Sequence, residues 1–472
     1  MNELIKMTAR QVVALLQKKE VSPLELVELS AERILEVDSI INAIPIQCFD
    51  RARSHARAIM DNPPDPVPHG YLYGLPLAIK DLDEVEGVRT TYGSPIFADN
   101  VSTSSGYMVE TLENNGSIVM GKSNTPEFGS GGTTFNEVFG VTVNPWDISK
   151  TCGGSSGGAA AALASGQVWL AQGTDFAGSV RTPASFCSIV GLRPSPGRIA
   201  TGPEALPFST FSVRGPMART VGDTALMLDA MCGMHPADPR SLPRPAQPFV
   251  DAVDAPKNPC KIGFSPNLGV APVDPEVVRI VSGAAAKFQD IGCEVVEGCP
   301  DFGDAIDVFQ TLRSVNYASR MGPLLEKYRD QLKPEVIWNI EKSFKLTSGD
   351  IAKADKARGD LFHSTIAFFK DHDFLLTPTV VAPPFSSELR YLPEVNGTRF
   401  DSYIGWLTLT FVLTLTGCPT ISVPCGFTSA GLPVGMQIVG RPRDEAGVLS
   451  AAALFEQACP LEFTTPINPQ QR

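Results

Sequence analysis

Residues 151–187 form a segment, TCGGSSGGAAAALASGQVWLAQGTDFAGSVRTPASFC, that is made almost entirely of small and uncharged side chains. Asp175 is the only charged residue between Gly153 and Val180. A stretch with so little charge belongs in the interior of a globular protein, where hydroxyl groups need partners. Its serines and glycines therefore indicate a nucleophilic serine, a glycine cradle for a ligand, or a backbone that must pack closely.

The remaining composition is that of a globular protein with a sizeable core, since 43% of the 472 residues are hydrophobic and 19% are charged. The formal net charge of −12 argues against nucleic acid as a partner, because phosphate binding needs basic patches. The apolar run at residues 404–417 is too short and too rich in threonine to span a membrane, and the N-terminus lacks a signal-peptide pattern. Ten scattered cysteines without zinc-ligand spacing predict a reduced, cytoplasmic protein without a metal site.

Local patterns in the first half of the chain predict alternating helices and strands. The first 60 residues are typical of helices, and Ser22-Pro23-Leu24-Glu25 reads as a capping box with proline at the first helical position. Residues 75–82 and 116–124 read as short buried strands. The small-residue run 157–166 is typical of a closely packed helix, and residues 168–175 of a strand that ends in a glycine-rich turn.

The second half repeats this mixture after a connecting loop. Five prolines between His235 and Pro248 predict that loop. A strand–helix–strand unit is expected to end at Gly298, and helical segments to continue to about Phe369. Apolar runs at residues 374–384 and 420–440 then predict strands again. The pattern as a whole indicates an α/β protein with a central mixed β-sheet.

Two chemical interpretations of the serine-rich segment are open but poorly supported. Residues 153–157 match the G-x-S-x-G nucleophile elbow, which needs a preceding strand and a histidine base. The preceding NPWDISKTC is a poor strand, and none of the five histidines stands in the expected setting, although His363 stays a candidate. The segment fits neither a P-loop nor a dinucleotide fingerprint, since no lysine follows Gly158.

A third interpretation makes Ser179 the nucleophile. The stretch GGSSGGAAAALASGQVWLAQGTDFAGSVRTPASFCSIVGLRPSPGRI resembles the amidase signature family. Further family-like stretches, among them GLPLAIKDL and GCPTISVPCGFTSAGLPVGMQIVGRP, extend the resemblance over nearly the whole chain. It implies Lys80, Ser155 and Ser179 as catalytic residues, with a cis peptide before Ser155.

The resemblance also implies a fold and a division of the chain. A single amidase signature domain is expected over residues 1–472, with a mixed sheet covered by helices on both faces. Its parts are an N-terminal helical segment (1–60), a catalytic core (70–230), a more variable helical and strand–helix–strand part (240–370) and a return to the core sheet (374–459).

The chemistry of this interpretation is physically consistent. A serine hydroxyl is a weak nucleophile that needs a base within hydrogen-bond reach. Lysine serves as a base only when neutral, so its pKa must fall from about 10.4. Burial lowers that pKa, and Lys80 stands at the end of an apolar strand. Protons would pass from Ser179 through Ser155 to Lys80.

The pocket residues are less regular. The resemblance implies oxyanion-hole N–H groups at Phe176, Ala177, Gly178 and Ser179, with Ala177 in place of the usual first glycine, a residue that resists positive φ. It also implies that the loop Gly129-Ser130-Gly131-Gly132 binds substrate. Thr414 replaces the asparagine that many relatives carry, and the apolar residues 400–411 favour a bulky or aryl group.

These observations predict an amidohydrolase that cleaves carboxylic amides, aryl amides among them, through a serine acyl-enzyme. Carbamate or ester hydrolysis, a glutamine-hydrolysing amidotransferase subunit, and an inactive binding protein on the same fold are the alternatives. No cofactor is expected. The expected partner is a small-molecule amide or carbamate, with no nucleic acid and no membrane, and the protein is expected to be a monomer or a homodimer.

Overall fold

The computed structural model describes residues 1–471. Its strands, in chain order, are β1 (Ile46–Gln47), β2 (Leu75–Lys80), β3 (Ser117–Ser123), β4 (Phe135–Asn136), β5 (Gly140–Val141), β6 (Val143–Asn144), β7 (Asp147–Thr151), β8 (Leu170–Asp175), β9 (Val190–Arg193), β10 (Val213–Ala218), β11 (Lys261–Phe264), β12 (Glu294–Glu297), β13 (Phe374–Pro378), β14 (Glu394–Val395), β15 (Thr398–Arg399), β16 (Thr420–Phe427) and β17 (Pro433–Val439).

The α-helices, in the same order, are α1 (Glu3–Lys6), α2 (Ala9–Gln17), α3 (Pro23–Ile41), α4 (Phe49–Asp61), α5 (Tyr107–Asn114), α6 (Gly157–Ala164), α7 (Arg181–Cys187), α8 (Val221–Met231), α9 (Phe249–Asp254), α10 (Pro275–Asp290), α11 (Ala305–Tyr328), α12 (Pro334–Ser343), α13 (Ser348–Phe368), α14 (Thr408–Thr414) and α15 (Glu445–Ala458). None of the helices within residues 1–471 has the length and apolar character needed to cross a bilayer.

One mixed sheet organises these elements. Within the described residues it contains 11 strands in the order β1-β3-β2-β8-β10-β9-β16-β17-β13-β11-β12. β2 runs parallel to both of its neighbours, β3 and β8, whereas β10 and β9 continue the sheet in antiparallel fashion. The predicted strand–helix–strand unit adds β11 and β12 in parallel at the far edge, beside β13. The expectation of an α/β protein with a central mixed sheet is confirmed.

Apolar clusters cover both faces of the sheet. Along β2, Ala78 belongs to a buried cluster that includes the alanines of α6, whereas Leu77 and Ile79 belong to a second cluster. Successive side chains of a strand point to opposite faces, so the two clusters lie on the two sides of the sheet. Burial on both faces explains why β2 and β3 read as continuous buried runs rather than as alternating patterns.

Several local expectations are confirmed, and two are wrong. Ser22 and Glu25 form the predicted capping box at the start of α3, with Pro23 at the first helical position. The apolar run 374–384 is strand only as far as Pro378. The stretch before the GGSSGG motif is a strand after all, because β7 pairs with β6 in a small hairpin outside the main sheet.

Gly158 shows why α6 needs its smallest residues. A Cβ atom added there would come within 2.3 Å of the Asn124 backbone nitrogen and 2.6 Å of the Ala43 carbonyl oxygen. Both neighbours are backbone atoms, so neither can swing away as a side chain would. The helix therefore packs directly against the chain at the end of β3.

We expect Gly158→Ala to lower the free energy of unfolding by about 1–3 kcal/mol, the usual cost of overpacking a tight core. Gly283 provides a matched control, since it lies inside α10 and an added Cβ would meet nothing within 4 Å. Gly283→Ala should instead add about 0.5–1 kcal/mol through helix propensity. Urea unfolding of both variants checks this, and equal effects would contradict the packing described for α6.

Candidate active site

Lys80 ends β2, and the amine of its fully buried side chain lies among three hydroxyl groups. Its Nζ is 2.7 Å from Ser155 Oγ, 2.9 Å from Ser156 Oγ and 2.8 Å from Thr174 Oγ1. No salt bridge reaches this amine from the described residues, and its nearest partners are neutral. The sheet creates this arrangement, because β2 and β8 are parallel neighbours and Lys80 and Thr174 lie near the same ends of the two strands.

Burial lowers the pKa of Lys80 well below the usual value for lysine. The carboxylates of Asp83 and Asp175 oppose this effect from a distance, and Arg214 adds to it. Desolvation dominates because the amine is surrounded by protein and has no directly contacting counter-ion. This environment therefore favours the neutral amine over the ammonium form.

Ser155 lies in the turn between β7 and α6. The Gly154–Ser155 peptide is cis, as the family resemblance implies, and Gly153 adopts a φ of 75° that glycine accepts readily. A Cβ on Gly154 would approach the Gly132 and Thr133 carbonyl carbons to about 3 Å. The turn therefore packs directly against the backbone of the loop that contains Gly132 and Thr133. Both Ser155 and the neighbouring Ser156 are buried, but only Ser155 borders a cavity.

The turn that carries Ser179 connects β8 to α7 and is organised by the buried Asp175. The Asp175 carboxylate accepts hydrogen bonds from the N–H groups of Gly178 at 2.9 Å and Val180 at 3.3 Å. Arg181 donates to both carboxylate oxygens, and Arg193 donates to one of them at 3.1 Å. Burial alone would raise the pKa of this carboxyl, but the two guanidinium groups hold it well below its usual range.

Ala177 fits this turn without strain. Among residues 1–471 it is not one of those with positive φ, whereas Gly178, the next residue, has a φ of 104°. A Cβ on Gly178 would come within 2.2 Å of Thr410 Oγ1, so this second position requires glycine. Thr410 in turn donates to the Ala177 carbonyl oxygen at 2.6 Å and anchors the turn to α14. The replacement of the usual first glycine is therefore compatible with the turn geometry.

Ser155 and Ser179 border the same cavity, which measures about 410 Å³. Aromatic and aliphatic side chains line one part of it, and charged side chains line another. The lining residues are Leu82, Asp83, Glu84, Tyr92, Phe97, Gly106, Phe128, Gly129, Ser155, Thr174, Phe176, Ser179, Gly202, Pro203, Glu204, Ala205, Ser212, Arg214, Asn316, Tyr317, Arg320, Met321 and Leu324. No hydrogen bond joins the two serine hydroxyls within the described part of the chain.

The predicted GSGG loop is only partly at this cavity. Gly129 lines it, and a Cβ there would lie 3.3 Å from Ser155 Oγ. Ser130 is buried behind the wall, where its hydroxyl is 2.9 Å from that of Tyr317. A Cβ on Gly132 would collide with the Trp406 ring, and Gly131 is likewise absent from the lining residues among 1–471. These three residues shape the loop rather than the cavity surface.

Two other sequence-based candidates lie elsewhere. Thr414 is buried and accepts a hydrogen bond from Arg181 at 3.3 Å, away from the cavity lining. None of the five histidines lines the cavity in the described structure, so the nucleophile-elbow mechanism lacks a base there. His235, for example, stacks on Tyr107 with ring centroids 3.8 Å apart.

Sequence reasoning missed most of the cavity wall. Helix α11 contributes Asn316, Tyr317 and Arg320 at helical spacing, together with Met321 and Leu324. The spacing marks one face of a helix but does not say what that face covers. Thr174, which carries the third hydroxyl near Lys80, lies within the signature stretch. It stands near the end of the predicted strand 168–175, as Lys80 does in the predicted strand 75–82, and this shared position is the signal that could have found it. Within residues 1–471, no group of three or more His, Cys, Asp or Glu side chains is placed to hold a metal ion.

Comparisons with known proteins agree with this site. The Amidase family model matches residues 25–449. An acylamidase of Rhodococcus erythropolis is 36% identical over 468 residues, which cover 98% of this chain and 97% of that protein. A glutamyl-tRNA(Gln) amidotransferase subunit of Moorella thermoacetica is 34% identical over 480 residues, covering 97% of each chain.

Solved structures of related enzymes are also similar to this chain. A bacterial aryl acylamidase of the amidase signature enzymes family aligns with a TM-score of 0.89 and 31% identity over 96% of both chains. A substrate complex of 6-aminohexanoate cyclic dimer hydrolase aligns with a TM-score of 0.86 and 27% identity, covering 97% of this chain and 98% of that one. Since sequence and fold agree over nearly the whole length, this chain belongs to the amidase signature family and is an amidase, an enzyme that hydrolyses amide C–N bonds.

Proposed function

We propose that this enzyme cleaves amides through an acyl-enzyme on Ser179, with Ser155 as proton relay and Lys80 as the final base. The observation that carries the proposal is the 2.7 Å contact between Lys80 Nζ and Ser155 Oγ. The lysine end of this contact is fully buried, and the serine end borders the cavity that also holds Ser179. A proton leaving the cavity therefore has a short route to a base that water does not reach.

The hydroxyls around Lys80 suit a neutral amine. Ser156 Oγ donates to the Thr174 carbonyl oxygen at 3.3 Å, which leaves its oxygen to accept an N–H from Lys80. Thr174 Oγ1 accepts a second N–H. A neutral amine has two hydrogens and one lone pair, so the lone pair faces Ser155 Oγ. Ser155 can then donate its own proton and accept one from Ser179.

Acylation follows from this arrangement. Ser179 Oγ attacks the amide carbonyl carbon, its proton moves to Ser155 Oγ, and the Ser155 proton moves to Lys80 Nζ. When the C–N bond breaks, Ser155 returns a proton to the leaving nitrogen and is reprotonated by Lys80. The contact between Ser155 and Ser179 forms as substrate binds, since catalytic hydrogen bonds are often long in unliganded enzymes. Water then attacks the acyl carbon through the same relay and releases the carboxylic acid.

The oxyanion of each tetrahedral intermediate is proposed to lie against the turn after β8. Of the four N–H groups expected from the sequence, that of Gly178 already donates to Asp175. We therefore propose Phe176, Ala177 and Ser179 as the donors and assign Gly178 the role of shaping the turn. One such donor typically contributes about 3 kcal/mol to transition-state stabilisation.

An aryl or similarly apolar amide fits the cavity best. Five aromatic rings border it, those of Tyr92, Phe97, Phe128, Phe176 and Tyr317. Phe176 is itself one of the proposed oxyanion donors, and its ring stacks on Phe211 with centroids 5.3 Å apart. Burial of a flat apolar group against such rings adds binding free energy that a small aliphatic amide cannot supply. A similar aryl acylamidase structure supports the same substrate class.

The setting of the enzyme is also a proposal. The ten cysteines are all unpaired in the structure, which supports the reducing cytoplasm as its location. We propose that it acts alone on a small molecule, as a monomer or homodimer. Carbamates and esters share the same acyl chemistry and are secondary substrates under this proposal.

A fluorophosphonate is expected to modify Ser179 and no other serine, as shown by intact mass and peptide mapping. Lys80→Ala and Ser155→Ala should slow this labelling by about 100-fold to 10,000-fold, the range for loss of general-base assistance. Ser156→Ala is the matched control, because Ser156 contacts the same amine but does not border the cavity. It should slow labelling far less than Ser155→Ala. Label on Ser155 with Ser179 unmodified would contradict the assignment.

A substrate panel tests the proposed amide class. An anilide, a primary aliphatic amide, an aryl carbamate and glutamine are compared by kcat/KM at one pH. The anilide should exceed the aliphatic amide and glutamine by at least about tenfold, because its ring is buried against the aromatic wall. Turnover of the small amides alone would overturn the aryl preference while leaving the acyl-enzyme mechanism intact.

A further inference from the structure

Charged side chains border one part of the active-site cavity, and the negative charges outnumber the positive ones. Three carboxylates and two guanidinium groups border it. Arg214 binds Asp83 and Glu204, at 2.6 Å in each case, and Arg320 lies 3.7 Å from Glu204. Both cations are therefore already engaged with carboxylates. An anionic group on a substrate would find no free positive charge in this lining.

Glu84 is the one of these three carboxylates that neither guanidinium group contacts. It forms no ion pair with any residue in the described range 1–471, and its side chain accepts one hydrogen bond, from the Tyr92 hydroxyl at 2.6 Å. Burial and this carboxylate together raise the pKa of Tyr92, so the phenol stays a neutral donor. Glu84 is only half-buried and borders the same cavity as Ser179. A negative charge without a counter-ion thus faces the space that the substrate enters.

Three aromatic rings border the same cavity as Glu84, and we call Tyr92, Phe97 and Phe128 the aromatic cluster. Ring centroids are 5.2 Å apart between Tyr92 and Phe97 and 6.1 Å apart between Phe97 and Phe128, in edge-to-face contacts. The Phe128 N–H also donates to the Tyr92 carbonyl oxygen at 2.8 Å. The backbone therefore fixes Phe128 relative to Tyr92, whose hydroxyl contacts Glu84.

The segments that carry Tyr92 and Phe128 adopt unusual backbone conformations. Tyr92 has a φ of 54° and Phe128 a φ of 49°, a region that bulky residues seldom occupy. Each is followed by a glycine, Gly93 or Gly129, that also has positive φ. Strained conformations of this kind often accompany ligand sites, because surrounding structure must hold them in place. Here they hold two rings of the aromatic cluster at the cavity.

We propose that the substrate carries a positively charged nitrogen, which lies between the Glu84 carboxylate and the aromatic cluster. An unpaired carboxylate attracts a cation, and the faces of aromatic rings attract it further through their quadrupoles. Together they are the groups that recognise ammonium ligands in proteins. This inference rests on the proposed amide hydrolysis and adds a requirement on the substrate, an apolar body with a cationic end.

Two matched pairs of chromogenic or aryl amides test the inference, each pair differing only in charge. On the acyl side, the 4-nitroanilide of 4-(trimethylammonio)butanoic acid is compared with that of 5,5-dimethylhexanoic acid. On the amine side, acetanilide with a para trimethylammoniomethyl group is compared with its para neopentyl counterpart. In at least one pair the cationic member should have a kcat/KM about tenfold higher, mainly through a lower KM.

Three variants identify the groups responsible. In Glu84→Gln the ratio of kcat/KM between cationic and neutral members should fall several-fold, because only the attraction of the aromatic rings is left. Glu86→Gln is the matched control. It removes the same charge only two residues further along the chain, but the Glu86 side chain is exposed and lies outside the cavity. It should preserve the ratio. Phe97→Leu should reduce the ratio while leaving the carboxylate in place.

The outcomes separate this inference from the function on which it rests. Equal turnover of both members in both pairs, or a cation preference that Glu84→Gln leaves unchanged, would overturn the inference and leave amide hydrolysis standing. If no amide is cleaved at all, the proposed function fails. Calorimetric titration with phenyltrimethylammonium then still tests the cation site. We expect this ion to bind the unaltered protein and the Glu84→Gln substitution to weaken its binding about tenfold.

Discussion

The exclusion of water from the Lys80 amine is the constraint on which the site depends, because only a neutral lysine can accept a proton. A buried ammonium without a carboxylate beside it would be costly, and the protein provides three hydroxyl groups there instead. Lys122, on the neighbouring strand, shows the contrast, since it is equally buried but lies 3.4 Å from Asp81. Lys122 therefore has a counter-ion and Lys80 does not. Lys80 is the lysine that contacts Ser155 at the cavity.

A second buried charge, that of Asp175, holds the proposed nucleophile Ser179 in place and takes no part in the proposed proton transfers. Asp175 binds the N–H groups of its own turn and the guanidinium groups of Arg181 and Arg193. Arg181 also donates to Gln437 at 2.6 Å, which connects the turn to β17 near the end of the chain. The position of Ser179 is thus tied to parts of the sequence more than 200 residues away. The pairing of β9 with β16 joins the same two halves of the chain into one sheet.

The sequence was most informative where a single local requirement dominates. The GGSSGG motif, the alanine-rich helix and the capping box at Ser22 each follow from glycine conformation, tight packing or a backbone hydrogen bond, and all three occur as expected. The cavity wall could not be predicted in this way. Helix α11 and the Glu84 region meet only after the chain has folded, and so do Arg214, Asp83 and Glu204, whose contacts set the balance of charges there. The strand β7 was missed for a related reason, because it is stabilised by its hairpin partner rather than by its own composition.

The protonation state of Lys80 is the quantity that tests this account most directly. Protein labelled with ¹⁵N at the lysine side chains can be titrated by NMR, with the Lys80 signal assigned through its loss in Lys80→Met. The account predicts a neutral amine at moderate pH, with a midpoint far below the value of about 10.4 for an exposed lysine. A Lys80 amine that stays protonated up to that ordinary value would contradict it, because Ser155 would then have no base to receive its proton.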